Sequence, residues 1–169
     1  MRISIIGHSA AGKSTLARRI SEKFHIPRLH IDKFWFETGG HRLPLGDTAA
    51  QEKARAHVLE RTREFVQKDS WVSDGWYPRI QPVVVSRADQ IIFLDVPLWR
   101  RISNHIWRTL SGKSHKEFTL WHEIRFIPQI IYRTYHRDGK MRQFMKENAE
   151  KVLVLKSFRE VEQYLRNLE

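Results

Sequence analysis

The sequence predicts a three-layer α/β domain, in which helices cover a parallel sheet of five strands. Two observations predict this fold. Five short apolar segments, each typical of a buried strand, occur at residues 3–6, 27–32, 71–75, 88–97 and 151–156. Segments whose apolar residues recur every three or four positions, as in helices, lie between them. Because strands and helices alternate along the chain, the strands are expected to be parallel.

A glycine-rich loop follows the first predicted strand and precedes the first predicted helix. Its sequence from Gly7 to Ser14 is Gly-His-Ser-Ala-Ala-Gly-Lys-Ser, which matches the G-x-x-x-x-G-K-S pattern of phosphate-binding loops. Strand, loop and helix in this order are the context that the pattern requires. The residues expected to bind the nucleotide are Gly7, His8, Ser9, Ala10, Ala11, Gly12, Lys13, Ser14 and Thr15.

The residue types of this loop fit the chemistry of a bound triphosphate. Gly7 and Gly12 have no Cβ, so the backbone can approach an anion closely. Backbone N–H groups at the start of a helix point at phosphate oxygens. Lys13 is expected to bring a positive charge to the β- and γ-phosphates and to act in catalysis. Ser14 is expected to offer its hydroxyl to Mg²⁺, which prefers oxygen ligands.

Acidic residues end three of the later predicted strands, and the carboxyl ends of parallel strands form the ligand-binding edge of such a sheet. Asp32 is predicted to bind a second substrate or to take its proton, with a strand-end cap as the alternative. Asp74 is predicted to hold Mg²⁺ through water, with an ordinary Asp-Gly turn as the alternative. Asp95 competes with Asp74 for the metal and is the weaker candidate.

Two further side chains are candidates for binding the second substrate. Trp35 belongs to an aromatic cluster that either lines a pocket or packs on the core. Arg79 follows the third predicted strand, and its planar guanidinium suits a phosphate or a carboxylate.

Positive charge is concentrated in the second half of the chain. The formal net charge is +11, and residues 97–147 carry eleven Lys and Arg against four Asp and Glu, a surplus of +7. A basic, lid-like helical insertion at about residues 108–122 is one interpretation, in which Arg133 and Arg137 help to neutralise a transferring phosphoryl group. A solvated basic face is the second. Nucleic-acid binding is the third, because tryptophans are interleaved with these cations.

The bulk properties exclude several classes of protein. The chain of 169 residues is expected to form one domain, residues 1–169. It has no cysteine, which excludes disulfides and zinc–thiolate sites. A strand at the very start leaves no room for a signal peptide, and no apolar run is long enough to span a membrane. A cytoplasmic protein without a membrane partner is therefore expected, whereas its oligomeric state is not predicted.

Residues 74–79, Asp-Gly-Trp-Tyr-Pro-Arg, resemble the Asp-Gly-Phe-Pro-Arg signature of adenylate kinases, with one extra residue. Residues 93–97, Phe-Leu-Asp-Val-Pro, resemble the strand that follows it in that family. The resemblance implies that Arg79 binds the phosphate of the acceptor. It also implies that Arg108 is a lid-flanking catalytic arginine.

Over nearly its whole length the chain resembles the adenylate-kinase-related DNA topology modulation (FlaR-like) proteins. The resemblance rests on the N-terminal loop, on Ile-Asp-Lys-Phe-Trp at 31–35 and on Trp-Val-Ser-Asp-Gly at 71–75. It implies the nucleoside-monophosphate-kinase type of P-loop fold, with sheet order 2-3-1-4-5, which favours Asp74 for magnesium. It also implies ATP as the nucleotide.

The predicted function is therefore that of a P-loop kinase. It would transfer the γ-phosphoryl group of Mg-ATP to a small acceptor, a nucleotide or a nucleotide-like molecule. The alternative is a nucleic-acid-associated P-loop NTPase or nucleotide-dependent regulator.

Overall fold

A computed structural model describes residues 1–40, 48–110 and 120–168 of the chain. Its five strands form one sheet in the order β2-β3-β1-β4-β5, with helices on both sides, so the predicted fold class and strand order are confirmed. The strands are β1 (Arg2–Gly7), β2 (Arg28–His30), β3 (Trp71–Asp74), β4 (Gln90–Leu94) and β5 (Val152–Leu155). The helices are α1 (Lys13–Phe24), α2 (Ile31–Glu37), α3 (Thr48–Phe65), α4 (Gln81–Arg87), α5 (Leu98–Leu110), α6 (Leu120–Glu147) and α7 (Phe158–Asn167).

The chain divides into two compact units. The first consists of Met1–Ile6 and Ser14–Ile91, and the second of Gly7–Lys13 and Ile92–Glu169. The single domain expected from chain length stays a prediction.

The register of the sheet in the first unit brings several strand ends together. β1 and β2 both pair with β3 in parallel, and Asp74 lies opposite Ile5 on one side and His30 on the other. A side chain at position 74 is therefore within reach of residues from both neighbouring strands. This register explains why the acidic end of β3 is a meeting point for polar groups.

The first unit has an apolar core around Trp71, which is fully buried. Its indole N–H donates to the carbonyl of Val66, so the one polar atom of the ring is satisfied. The buried side chains of this core come from β2, β3, α2, α3 and α4 and their flanks; they are Leu29, Ile31, Val58, Val66, Trp71, Ile80, Val84 and Ala88. This core fixes α2 and the segment after β3.

In the second unit, α5 and α6 pack against each other. The buried Arg101 of α5 donates to the carbonyl of Val96 at 3.0 Å and to the hydroxyl of Thr134 at 3.0 Å. Pro128, expected to kink or break a helix, lies inside α6 without ending it. No helix in the described part of the chain combines the length and the apolar character that crossing a membrane requires.

Two features of the first unit differ from the predicted elements. β2 ends at His30, so Asp32 does not close a strand but lies in the first turn of α2, where a carboxylate is favoured by the helix dipole. α4 has no helical signal in the sequence, because three consecutive valines are typical of a strand. Pro82 near its start is nevertheless compatible with the first turn of a helix. Asp47, which its residue type and its position before Thr48 predict to be the N-cap of α3, lies outside the described residues.

The last helix begins with a capping box, which the pattern Ser-x-x-Glu at residues 157–160 predicts. The hydroxyl of Ser157 accepts a hydrogen bond from the backbone N–H of Glu160 at 3.2 Å, and the Glu160 carboxylate accepts one from the N–H of Lys156 at 2.9 Å. These bonds satisfy backbone donors that the helix itself leaves unpaired.

We predict that Ser157→Ala lowers the free energy of unfolding by about 1 kcal/mol, because it removes the N-cap acceptor. Chemical denaturation measures the change. Ser157→Thr keeps a hydroxyl and serves as the matched control. Equal stability of the alanine variant and the wild type would show that the cap contributes nothing.

Candidate active site

The glycine-rich loop of the second unit has a backbone conformation that demands its residue types. Gly7 has φ +145° and Gly12 has φ +92°, both in the region that favours glycine. A Cβ on Gly7 would lie 2.8 Å from the carbonyl oxygen of Leu94, so a side chain at this position is excluded sterically as well. Ala10, with φ +61°, holds a left-handed conformation that is costly for a residue with a side chain.

Hydrogen bonds stabilise this strained loop. The Asn104 side-chain amide on α5 donates to the carbonyl of Ala10 at 3.2 Å. The carbonyl of His8 accepts from Lys13 Nζ at 2.7 Å and from the N–H of Ala11 at 3.3 Å. Carbonyl oxygens of the loop are thus engaged by donors within the unit. The lysine ammonium is held at the loop backbone, and its phosphate-binding role stays a prediction.

The carboxylate of Asp74 is the centre of a polar cluster in the first unit. Asp74 is 1% exposed. Ser14 Oγ donates to Asp74 Oδ2 at 2.5 Å, and Arg28 Nε donates to Oδ1 at 2.9 Å. The ring nitrogen Nδ1 of His30 lies 3.1 Å from Oδ2. Both oxygens of the buried carboxylate therefore have partners.

These partners determine the ionisation state of Asp74. Burial alone would raise the pKa of its carboxyl, because water no longer solvates the charge. Hydrogen bonds from His30, Arg28 and Ser14 outweigh burial and lower the pKa to about 2. Asp74 is therefore an anion at neutral pH and a weaker base than an ordinary aspartate.

Ser14 and Asp74 fit the magnesium role that the sequence predicts. Ser14 is the second residue of α1, after Lys13, and its hydroxyl lies at hydrogen-bond distance from an ionised carboxylate. A hydroxyl and a carboxylate are the hard oxygen donors that Mg²⁺ selects while keeping several waters. Their assignment as metal ligands stays a prediction.

Asp32 lies within hydrogen-bonding reach of a residue that the sequence did not single out. The phenol of Tyr77, in the segment after β3, donates to Asp32 Oδ1. Asp32 is half-buried. A carboxylate held in this way can bind a hydroxyl group or take its proton, as predicted for Asp32, and that role remains untested.

Arg79 is paired with an acidic residue of α3. Its guanidinium donates to both carboxylate oxygens of Glu52, at 2.8 and 2.9 Å. Hydrogen bonds from Arg79 and Arg55 lower the pKa of Glu52, which is therefore ionised at neutral pH. The predicted phosphate ligand thus has an anionic partner of its own, although the pair is exposed to solvent.

The aromatic residues of α2 pack on the core of the first unit. Phe34 and Trp35 lie partly buried against that core. A Cβ on Gly40 would lie 2.7 Å from the Trp35 ring, so the indole depends on a glycine there. Arg61 of α3 stacks over the Phe34 ring at 4.8 Å. Trp35 therefore has a packing role, and its predicted role in binding substrate stays a prediction.

The remaining predicted residues are placed as follows. Thr15 is exposed in the first turn of α1. Asp95 is exposed, and its backbone N–H bonds to the carbonyl of Leu155 at 2.9 Å. The side chains of Arg108, Arg133 and Arg137 lie outside the described residues, although their backbones belong to α5 and α6. Residues 111–119 of the predicted lid are likewise outside them.

Sequence reasoning missed Arg28, His30 and Tyr77. The first two carry a usable signal, because residues two apart on a strand share one face. If β2 is placed next to β3, the side chains of Arg28 and His30 are expected to lie near Asp74. Tyr77 has no such signal, since the path of the segment after β3 follows from packing.

No model of a protein family matches the chain, and no curated protein sequence matches it. Solved structures do. A shikimate kinase from Bacteroides thetaiotaomicron is 19% identical with a TM-score of 0.54, over 99% of this chain and 95% of that chain. A shikimate kinase from Acinetobacter baumannii in complex with shikimate is 16% identical with a TM-score of 0.59, over 99% and 90%. At these identities the likeness shows the fold, and the resemblance to FlaR-like proteins stays a prediction.

We predict that Gly7→Ala destabilises the protein by about 1–3 kcal/mol more than Gly75→Ala, because its added methyl group meets the Leu94 carbonyl. Gly75 has a similar φ, of +136°, but a Cβ there would lie 3.6 Å from its nearest neighbours, an ordinary contact distance. The pair thus separates steric overlap from backbone strain. Thermal unfolding measures both variants, and equal losses would contradict the close approach.

We predict that Asp74 contributes about 2 kcal/mol of acid-sensitive stability, from a pKa near 2 in the fold against the ordinary value of 3.8. A lowered pKa gives stability that is fully present above about pH 4–5 and is lost as the pH falls through 2. In urea unfolding at several pH values, the free energy of unfolding should fall less steeply on acidification for Asp74→Asn than for wild type. Asp69→Asn, at an exposed carboxylate, is the control. The same pH dependence of the free energy of unfolding in Asp74→Asn and wild type would refute this contribution of Asp74.

Proposed function

We propose that the protein is a phosphotransferase that moves the γ-phosphoryl group of ATP to a small-molecule acceptor. One observation carries the proposal: the serine that ends the phosphate-binding pattern donates a 2.5 Å hydrogen bond to a buried, ionised aspartate. A hydroxyl and a carboxylate joined in this way are typical of the magnesium end of P-loop nucleotide sites. The shared fold with solved shikimate kinases supports the same class of reaction.

The loop and its lysine would bind and orient the triphosphate. Backbone N–H groups of residues 7–13 bind phosphate oxygens, and Lys13 leaves the His8 carbonyl to reach the β- and γ-phosphates. Ser14 and Asp74 would hold Mg²⁺, which when bound neutralises charge on the phosphates. Arg28 and His30 keep the Asp74 carboxylate ionised and fixed in orientation.

The two aspartates of the first unit would have different roles. Asp74 has hydrogen-bond partners on both carboxylate oxygens and a pKa near 2, which makes it a weak base. Asp32 is half-buried and carries one hydrogen bond from a phenol, which leaves it suited to orient an acceptor and to receive its proton. Arg108, Arg133 and Arg137 remain the proposed cations that would neutralise the transferring group.

The class of acceptor is the open part of this proposal. The resemblance to adenylate kinases implies a nucleotide or a nucleotide-like molecule, with Arg79 on its phosphate. A fold neighbour solved with shikimate indicates that small acceptors of another class also suit this architecture. The proposal itself requires only that an acceptor raises the rate of ATP consumption.

We predict that a pool of nucleosides, nucleotides and hydroxylated acids stimulates ADP formation by the wild type. Asp32→Asn should lower the stimulated rate by about 10²-fold or more, since it removes the proton acceptor. Asp69→Asn, a change at an exposed carboxylate, is the matched control and should retain the wild-type rate. Turnover that is independent of every acceptor, or equal in Asp32→Asn, would contradict the proposal.

A second candidate function is favoured by one feature of α5. Trp99 and Trp107 are 65% and 61% exposed, and Arg100 stacks over the Trp99 ring at 4.7 Å. Exposed aromatic rings beside cations can stack on the bases of single-stranded nucleic acid. The comparisons give this alternative no support. It would gain support if binding to an oligonucleotide depended on ATP and weakened steeply with salt.

A further inference from the structure

The segment that follows β3 is one residue longer than the adenylate-kinase signature it resembles, and this length accompanies two unexpected contacts. Tyr77 reaches Asp32, and Arg79 reaches Glu52. We propose that the acceptor presents a hydroxyl group, and not a phosphate, to Asp32, and that Tyr77 is the positioning residue for that carboxylate. This inference rests on the proposed phosphotransferase function and names its class of acceptor.

Tyr77 is held firmly at its backbone and its ring. Its carbonyl accepts hydrogen bonds from the N–H groups of Ile80 and Gln81, at 2.8 and 2.9 Å, where α4 begins. Its ring packs on the core of the first unit and would lie 3.6 Å from a Cβ on Gly75. The buried side chain of Gln81 donates to the Gly75 carbonyl at 2.9 Å. The phenol therefore has little freedom to leave Asp32.

Asp32 is anchored through the residue before it. Ile31 is 1% exposed and contributes to the same core, and its side chain would lie 3.6 Å from a Cβ on Gly75. The two partners of the Tyr77–Asp32 hydrogen bond thus pack around one glycine. Tyr77 occupies Oδ1 of the carboxylate, and the described residues show no hydrogen bond to Oδ2. One oxygen is positioned and the other is left to an acceptor.

Charge at this place favours a neutral acceptor group. A carboxylate repels a phosphate, which carries negative charge at neutral pH, whereas it accepts a hydrogen bond from a hydroxyl. Arg79, the cation that the resemblance assigns to an acceptor phosphate, makes a two-bond pair with Glu52. A phosphate acceptor would be repelled by the Glu52 carboxylate on Arg79 as well as by the Asp32 carboxylate. A hydroxyl acceptor is neutral, so neither carboxylate repels it.

The transfer balances with these groups. The acceptor oxygen forms a bond to the γ-phosphorus of ATP, and the bond from that phosphorus to the β,γ-bridging oxygen breaks. The hydroxyl proton moves to Asp32 Oδ2, and the bond electrons leave with ADP. The products are a phosphate monoester, ADP and a proton that Asp32 returns to water.

The test compares two sets of acceptors and two tyrosine variants. The acceptors are hydroxyl compounds without phosphate, namely nucleosides, sugars and shikimate, and nucleoside monophosphates. Tyr77→Phe removes the phenol oxygen and keeps the ring, and Tyr132→Phe, at an exposed tyrosine of α6, is the matched control. We predict phosphorylation in the hydroxyl set only. Tyr77→Phe should lower kcat about 10-fold with little change in the KM for ATP.

A double-mutant cycle of Tyr77→Phe and Asp32→Ala tests the contact without any ligand, because an asparagine at position 32 would keep an oxygen that accepts from the phenol. The two changes should be non-additive in thermal unfolding, because either one removes the same hydrogen bond. Additive losses, or an unchanged kcat in Tyr77→Phe, would overturn the positioning role. Phosphorylation of nucleoside monophosphates in preference to the hydroxyl set would overturn the acceptor class and leave the phosphotransferase intact. If neither set raises ATP consumption, both proposals fail.

Discussion

The organisation of the first unit depends on the hydrogen bonds to the buried carboxylate of Asp74. An ionised carboxylate away from water is tolerated only when hydrogen-bond donors replace its hydration. Here the donors come from the first turn of α1, through Ser14, and from β2, through Arg28 and His30. One charge therefore ties the end of β3 to a neighbouring strand and to the helix that opens with the phosphate-binding pattern. Removing any donor would leave part of that charge uncompensated.

The carboxylates of Asp74 and Asp32 differ in how many hydrogen bonds they accept, and we infer different roles for them from this difference. Asp74 accepts hydrogen bonds that stabilise the fold, and it is proposed to bind the metal. Asp32 has a single described hydrogen bond, from Tyr77. The loop of the second unit shows a comparable division. Gly7 is required by the close approach of Leu94, while Lys13, held on the His8 carbonyl, is a charge that can move to a ligand. Each unit thus combines fixed groups with adjustable ones, and we propose that the adjustable ones contact the substrates.

Much of this arrangement could be predicted from the sequence, for physical reasons. The pattern Gly7–Ser14 demands a strand before it and a helix after it, and hydrophobic periodicity predicts the other elements except α2 and α4. α4 escaped prediction because Val83–Val85 have a strand-like preference that tertiary packing overrides. Asp32 was expected at a strand end but lies in a helix, since the chain turns directly after His30. Tyr77 and Glu52 could not be predicted as partners of Asp32 and Arg79, because those contacts join segments distant in sequence.

The fate of the γ-phosphoryl group tests the central claim most directly. Wild-type protein would be incubated with Mg²⁺, with ATP carrying ¹⁸O in its γ-phosphoryl group, and with the mixed acceptors. Mass spectrometry would then follow the label. The account predicts that the label appears in an organic phosphate ester, and that Lys13→Ala abolishes this product. Label found only in inorganic phosphate, at a rate that no acceptor changes, would contradict it and identify the protein as an NTPase.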